Sequence, residues 1–351
     1  MWAYVGSRTT AARHARGEGI SVYTCDAASG ALSLVQVHGE LVNPSFLAPN
    51  RRASRLYAVH GDEHHISAFR VGPDGRIQHL NTQDTGGRNP VHLALDASER
   101  FMVVSNHQSS HLAVLPLDDD GALLPPVQQV PLTGKPGPHR HEQPFAKPHH
   151  NPFDASGRMV LVPDKGLDKV FSFRFEHGRL LPAAVPEMRA REGAGPRHIV
   201  FHPSRDWAYV VGELDSTVSA CTFNPSTGAL RAFQVLSTLS DSFTGNSRAA
   251  EIAVHPAGHT VYVSNRGEHS IAAMSVDPLS GRLAHMQTAP SGGQTPRFFA
   301  IDPAGRWMYV LNEDSDSIVQ RPIDVATGRL GTVANTLPCG SPVCMVLAGG
   351  N

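Results

Sequence analysis

The sequence predicts an all-β fold, a seven-bladed β-propeller with four antiparallel strands in each blade. Three observations predict it. A repeat with steps of 46 to 58 residues runs through most of the chain, each repeat holds four short runs rich in β-branched and aromatic residues, and the two chain ends complement each other. We expect a single propeller domain over residues 1–351, because no linker interrupts the repeats.

Each repeat is recognised by its opening residue, which precedes a short apolar run. A turn rich in Pro, Asp and Gly leads from it to a second run, such as Trp207-Ala-Tyr-Val-Val, and two further runs follow across a polar loop and a glycine turn. Helical repeats would instead show a period of 3.6 residues. The openings are Pro44, Pro90, Pro148, Pro196, Ala249, Pro296 and Pro342.

The chain ends predict how the ring closes. The segment Trp2-Ala-Tyr-Val resembles the second run of a repeat, whereas the segment that begins at Pro342 resembles a first run with no second run after it. We therefore expect the C-terminal strand to complete the blade that the N-terminal segment begins. This closure gives seven blades and leaves no long unpaired edge strand.

The composition excludes several classes of function. The net charge is -1 over 351 residues, so no basic surplus indicates binding to nucleic acid or to an anionic membrane. No run approaches 18 apolar residues, and the N-terminus lacks the basic and apolar regions of a signal peptide. The four cysteines lack CxxC spacing and are expected to be buried thiols. We expect a cytoplasmic protein, a monomer or weak homo-oligomer, without a cofactor.

Two positions of the repeat predict a functional site at one mouth of the central channel. In a four-stranded antiparallel blade, the start of the first strand and the loop from second to third strand lie at the same end. The residues directly after the openings are Ser45, Val91, His149, Arg197, Ala250, Arg297 and Val343. The residues in the loop position are His107, Lys165, Glu213, Arg266 and Glu313. Asp62 joins them if the first repeat has one extra residue, and Arg8 joins them if Trp2 matches Trp207.

The ionisable side chains of this predicted mouth are mostly cationic. Arginines pair bidentately with carboxylate and phosphate, so an anionic ligand is favoured. Glu213 and His149 are the candidates for proton transfer. We expect the glutamate to stay ionised among the arginines, with a lowered pKa, and the histidine to stay neutral near several cations, so that it can act as a base.

Several segments resemble a known family, the propeller lactonases, which includes cycloisomerase-type 6-phosphogluconolactonases and fungal carboxy-muconate lactonizing enzymes. The resemblance covers essentially the whole chain and implies the propeller fold. The segments that carry it are Tyr4-Val5-Gly6-Ser7, Gly193-Ala-Gly-Pro-Arg197-His198 with Phe201-His-Pro, Ala208-Tyr-Val-Val-Gly-Glu213, Asn265-Arg266-Gly, and His149 before Val162-Pro163-Asp164.

The resemblance also implies catalysis by one histidine, one glutamate and two arginines at the channel mouth. Relatives have a spaced histidine motif where this chain has Lys147-Pro-His-His-Asn, so His150 competes with His149, which alignment from Val162 favours. Carried over residue by residue, the catalytic set is His149, Arg197, Glu213 and Arg266. The predicted substrate contacts are Arg8, Asp62, His107, His150, Lys165, His198, Arg297 and Glu313.

Three functions fit these residues. The first is hydrolysis of a sugar lactone, with 6-phosphogluconolactone as the leading substrate. The second is lactonizing or delactonizing cycloisomerisation of a muconate-type acid, and the third is a propeller that serves only as a binding platform. The segment His139-Arg-His141-Glu142 with His149-His150 contains possible metal ligands, but alternate histidines in a proline-rich loop are more typical of a solvated surface, so we expect no metal.

Overall fold

The computed structural model describes residues 1–349 and consists almost entirely of β-strands. Its only helical element in that range is the three-residue 3-10 turn Ala11–Arg13, so no helix there could cross a membrane. The strands form seven separate antiparallel sheets, which confirms the predicted seven blades. We number the blades 1 to 7, and blade 7 contains both chain ends.

The first part of the chain forms most of blade 7 and then blades 1 and 2. The strands of blade 7 begin with β1 (Trp2–Ser7), β2 (Ile20–Cys25) and β3 (Leu32–His38). Blade 1 has β4 (Pro44–Pro49), β5 (Arg55–His60), β6 (His65–Val71) and β7 (Ile77–Asp84). Blade 2 has β8 (Pro90–Leu95), β9 (Phe101–Asn106), β10 (His111–Pro116) and β11 (Gln128–Pro131).

The remaining blades follow in chain order. Blade 3 has β12 (Met159–Asp164), β13 (Lys169–Glu176) and β14 (Arg179–Arg189). Blade 4 has β15 (Pro196–Phe201), β16 (Trp207–Gly212), β17 (Thr217–Asn224) and β18 (Ala229–Ser237). Blade 5 has β19 (Ala249–Val254), β20 (Thr260–Asn265), β21 (Ser270–Val276) and β22 (Leu283–Pro290). Blade 6 has β23 (Pro296–Ile301), β24 (Trp307–Asn312), β25 (Ser317–Pro322) and β26 (Asn335–Pro338), and β27 (Pro342–Ala348) completes blade 7.

The ring closes as the two chain ends predict. In blade 7 the strand order is β27-β1-β2-β3, so the C-terminal strand is innermost and pairs with the N-terminal strand. Strand β27 also contacts the inner strands of both neighbouring blades, β23 and β4. Closure therefore leaves no inner strand without neighbours on either side.

Blade 3 differs from the predicted four strands. It has three regular strands, and its inner edge is the segment 148–153, which two isolated bridges hold to β12, Pro148 to Asp164 and Phe153 to Val160. Pro148 and Pro152 have no N–H group to give to a strand ladder. The Asn151 side chain, moreover, bonds across to blade 2, where its amide donates to the Val103 carbonyl at 2.9 Å.

The core of the protein lies between the blades. Seven clusters of buried apolar side chains occupy the seven blade-to-blade interfaces. A repeated tyrosine of the second strand adds a polar link: Tyr209 is fully buried and donates its hydroxyl to the Gly281 carbonyl in the next blade at 3.2 Å. Gly281 has φ +70, and a Cβ there would lie 2.5 Å from the Trp207 indole, so only glycine fits this turn.

Candidate active site

The inner strands aim one side chain each at the mouth of the channel by means of a β-bulge. In blade 4, Pro196 pairs with Gly212 and His198 with Val211, which leaves Arg197 between them without a partner residue. Arg297 has the same place in blade 6. A bulge bends the strand and re-aims its extra side chain. In five of the blades, the residue before the opening proline supports this turn with a left-handed conformation, φ +60 at Gly195.

The loop after each second strand returns to the same place. The Glu213 N–H donates to the Gly195 carbonyl at 2.9 Å, next to the bulge. Glu313 makes the equivalent bond to Thr295 in blade 6 at 3.0 Å. The two repeat positions that the sequence singles out therefore share one mouth, and His107, Lys165 and Arg266 reach it through bonds of the same kind, whose acceptors are the carbonyls of Asn89, Lys147 and Arg248.

Glu213 is the centre of an ion-pair cluster at this mouth. Its carboxylate lies 3.2 Å from Lys165 Nζ, 3.2 Å from Arg197 Nε and 3.3 Å from Arg266 Nη2, and its side chain is only 5 % exposed. Burial alone would raise the pKa of Glu213, but Arg266, Lys165 and Arg197 hold it well below its usual value. Glu213 is therefore a permanent negative charge that fixes three cations.

Arg197 joins this cluster to the channel cavity. Its Nη1 donates to the Ala250 carbonyl at 2.6 Å and lies 3.3 Å from His198 Nε2. Its Nε, although near Glu213, makes no hydrogen bond to any described residue. The side chain lines the cavity together with His149 and Arg297. A guanidinium fixed in this way has donors ready for an oxyanion in the cavity.

His149 lines the same cavity from blade 3. Its backbone N–H donates to the Pro163 carbonyl at 3.0 Å, and its ring centroid lies 5.2 Å from those of His107 and His198. Its Nδ1 is buried and has no hydrogen-bond partner within residues 1–349. Burial, and then the charge of Arg197, lower the pKa of His149 well below 6.5, so the imidazole is neutral at pH 7.

A second set of side chains packs beneath the bulged residues. The residues two positions after the openings are Phe46, His92, His150, His198, Glu251, Phe298 and Cys344, and the aromatic rings among them contact one another. The His150 and His198 rings stack at 4.3 Å, and His198 Nδ1 lies 3.2 Å from Glu251 Oε1. His150 therefore lies one layer below His149 and does not line the cavity, in contrast to the predicted substrate contact, whereas His198 does line it.

The other side of the mouth holds Arg8, Asp62, Arg297 and Glu313. Arg8 lies 3.4 Å from Asp62 and 3.9 Å from Glu313, and Arg297 lies 3.8 Å from Glu313. The prediction that Asp62 occupies the loop position was wrong. β5 begins eleven residues after Pro44, just as β9 does after Pro90, so the first repeat has no extra residue there and Gly61 holds that position. Asp62 is the next residue, and it pairs with Arg8 and Arg13.

Four polar residues near the predicted site were not identified from the sequence: Arg13, Glu142, Arg248 and Glu251. Glu142 bonds Lys165 at 2.9 Å and Arg248 at 2.8 Å, and Arg13 bonds Asp62. Glu142 lies in a non-repeated insertion, so no repeat position could reveal it. Glu251, the fourth, could have been found, because the position two residues after each opening contains three histidines besides it.

The insertion with the alternate histidines does not bring its metal-ligating atoms together. The His139 ring accepts a bond from the Glu142 backbone, and the Glu142 carboxylate faces cations. Within the described residues, only Glu63, His64 and His65 bring three such donors within ligating range, at the protein surface. These three lie outside the residues that line the cavity.

The comparisons with known proteins agree with this fold. The family described as "Lactonase, 7-bladed beta-propeller" matches residues 2–347. The chain is 35 % identical over 300 residues to a 6-phosphogluconolactonase of Bacillus subtilis, covering 84 % of this chain and 83 % of the relative, and 32 % identical over 297 residues to a 6-phosphogluconolactonase of Formosa agariphila, covering 81 % and 82 %. The solved structure of a periplasmic gluconolactonase of Pseudomonas aeruginosa superposes with a TM-score of 0.90 at 28 % identity, covering 98 % of each chain.

Proposed function

Because this chain belongs to the lactonase family of seven-bladed β-propellers, we propose that it hydrolyses a sugar lactone at the charged mouth of its channel, with 6-phosphogluconolactone as the leading substrate. The observation that carries the proposal is one cavity that brings together a neutral histidine, His149, and a fixed guanidinium, Arg197. Both are placed by the propeller scaffold, at the inner edges of two adjacent blades.

Lactone hydrolysis needs an activated water, support for an oxyanion and a proton for the departing alkoxide. In the proposed reaction, His149 takes a proton from the water while the water oxygen bonds to the lactone carbonyl carbon. The carbonyl oxygen becomes an oxyanion, which Arg197 stabilises. The ring C–O bond then breaks, and the imidazolium returns its proton to the leaving oxygen, which yields a hydroxy acid.

The charges around His149 suit the second half of this reaction better than the first. Burial and Arg197 destabilise an imidazolium, so it gives up its proton readily to the leaving oxygen. The same factors make the neutral ring a weak base. An anionic substrate offsets part of this effect, because its negative charge raises the pKa of a nearby histidine.

Glu213 then has a supporting role in place of proton transfer. Its carboxylate is ionised, nearly fully buried and occupied by three cations, and it does not line the cavity. It orients Arg197 and Arg266 and balances their charge, as a buried carboxylate does when it is well paired. Between the two candidates for the base, the geometry therefore favours His149.

The test is a lactonase assay by acid release, corrected for spontaneous hydrolysis of the lactone. His149→Gln is expected to lower kcat by 10²- to 10⁴-fold, the range of general acid–base catalysis. His285→Gln is the matched control, since His285 is exposed on an outer strand, and it should retain full activity. Full activity of His149→Gln, or no activity of the native chain on any lactone, would overturn the proposal.

Glu213→Gln tests the supporting role. It removes the counter-charge that Arg197 and Arg266 share and one of the two carboxylates that pair with Lys165, so we expect a kcat lower by orders of magnitude in a folded protein. Glu187→Gln changes an equivalent ion pair, to Lys169 at 2.7 Å, on the outermost strand of blade 3 and serves as the control. A panel that also contains a muconate-type acid tests the cycloisomerase alternative, which would use the same residues.

We also propose that the chain works in the cytoplasm, in carbohydrate metabolism. All four cysteines are buried and unpaired, as is usual in a reducing compartment. Cell fractionation with an antibody against the chain tests this location. Recovery in a periplasmic or secreted fraction would contradict it.

A further inference from the structure

Two arginines from adjacent blades, Arg8 and Arg297, face the cavity with most of their donors unused. Both line it, opposite His149. Arg8 is only 5 % exposed, and its Nε has no hydrogen-bond partner within residues 1–349. Its one side-chain hydrogen bond, to Asp62, is long at 3.4 Å. The pair of Arg297 with Glu313 spans 3.8 Å, which is beyond hydrogen-bond range.

The equivalent residues of blade 4 show that this loose pairing is not dictated by the fold. Arg197 and Glu213 occupy the same repeat positions as Arg297 and Glu313. Glu213 holds three cations within 3.3 Å, whereas Glu313 reaches Arg297 and Arg8 only at 3.8 and 3.9 Å. On one side of the mouth the carboxylate therefore pairs closely with three cations, whereas on the other side the looser pairs leave more guanidinium donors for a ligand.

The second side also carries unbalanced positive charge. Arg13 bonds Asp62 through two nitrogens and takes up most of its charge, which leaves Glu313 to face two guanidinium groups. Burial, and then the nearby Arg297, lower the pKa of Arg8 to about 10, so it remains charged at pH 7. An anion between the two groups would relieve this repulsion.

The backbone makes room for Arg8 at this place. A Cβ on Gly61 would lie 2.9 Å from Arg8 Nη1 and 2.6 Å from Ser45 Oγ. Because Gly61 holds the loop position that carries a charged or histidine side chain in the other blades, its lack of a side chain opens the cavity on this side. The subsite is built from several residues of blades 1, 6 and 7.

We propose that Arg8 and Arg297 form a subsite for the phosphate monoester of the substrate, while its lactone carbonyl lies between His149 and Arg197. A phosphate has three terminal oxygens and nearly two negative charges, so it can pair with both guanidinium groups at once, whereas a carboxylate can be bound bidentately by only one. The inference rests on the proposed function, since it assigns the two ends of one lactone substrate to the two sides of the mouth.

A binding experiment that needs no turnover tests the subsite. By calorimetry, the native chain should bind 6-phosphogluconate about 100-fold more tightly than gluconate, and Arg297→Gln should remove most of this difference. Arg8→Gln is the second variant, and circular dichroism checks that each folds. Arg248→Gln removes a half-exposed cation from the opposite side of the mouth and is the matched charge control.

The outcomes separate the subsite from the lactonase proposal. A selectivity lost in Arg297→Gln or Arg8→Gln and kept in Arg248→Gln supports the subsite. Equal loss in all three variants, or native binding without preference for the phosphorylated acid, overturns it, even if the chain is an active lactonase. Selective binding by a chain that hydrolyses no lactone would instead support the subsite and overturn the proposed function.

Discussion

Replacing Glu251 by glutamine should change how the stability of this protein depends on pH. The Glu251 carboxyl is buried under the active-site mouth, where Oε1 accepts bonds from His198 Nδ1 at 3.2 Å and from the Ile252 N–H at 3.1 Å. His198 Nε2 faces Arg197, which can only donate, so the proton of this imidazole lies on Nδ1. Oε2 lies 3.1 Å from the same Nδ1 but makes no hydrogen bond in the described range, so it is the oxygen left for a carboxyl proton.

Burial raises the pKa of Glu251 from 4.5 to about 8, although Arg197 acts in the opposite direction. The unfolded chain therefore loses this proton at a lower pH than the folded protein. Below pH 4.5 the ionisation of Glu251 does not reduce the free energy of unfolding. From pH 4.5 to 8 it reduces this free energy increasingly, and above pH 8 the reduction stays constant. At about 1.4 kcal/mol per pKa unit, the full effect is on the order of 5 kcal/mol.

Glutamine has the shape of the protonated carboxyl and does not ionise, so Glu251→Gln should lack this pH dependence. The free energy of unfolding in urea, measured for both proteins at pH 5, 7 and 9, should shift in favour of the variant by several kcal/mol over this range. Glu176→Gln, at an exposed ion pair, should follow the native curve. Parallel curves for native protein and Glu251→Gln would show that Glu251 is ionised throughout and refute the reasoning.

Three further predictions follow from the described geometry. Tyr209→Phe leaves the buried Gly281 carbonyl without its partner and should lower the free energy of unfolding by about 1–2 kcal/mol in urea, with activity retained. On acidification, kcat/KM should begin to decrease only well below pH 6.5, since the pKa of His149 lies there. A decrease centred at pH 6.5 or above would show that another group is the base. Dialysis against EDTA should leave lactone hydrolysis unchanged if Arg197 supports the oxyanion as proposed, and loss restored by a divalent cation would contradict this.

The fold could be predicted because one local pattern recurs along the chain. Six of the seven predicted openings are the first residues of inner strands, and the seventh, Pro148, forms a bridge at the inner edge of blade 3. Five of the seven openings combine a left-handed residue, a proline and a bulge, and these are properties of short sequence segments. The periodicity then converts a local pattern into a position around a ring.

The site could be predicted only as far as this periodicity reaches. Counting along the repeat was enough to place Arg197 and Glu213 at one mouth, but an assumed extra residue placed Asp62 where Gly61 lies. The contact of Glu142 with Lys165 depends on the path of a non-repeated insertion, which no local pattern gives. The three cation contacts of Glu213 could not be predicted either, since they follow from side-chain directions and not from spacing.

The cavity itself arises from the differences among equivalent positions. Seven residues follow the openings around the mouth, six of them at bulges, and if all seven carried long side chains, the channel would be filled. Three of them carry the large polar side chains His149, Arg197 and Arg297, which line the cavity and hold the proposed roles. The other four are small or apolar and leave the space between them: Ser45, Val91, Ala250 and Val343. A symmetric scaffold thus becomes an asymmetric site, because the residues proposed for proton transfer, for the oxyanion and for the anion subsite occupy different blades around one opening.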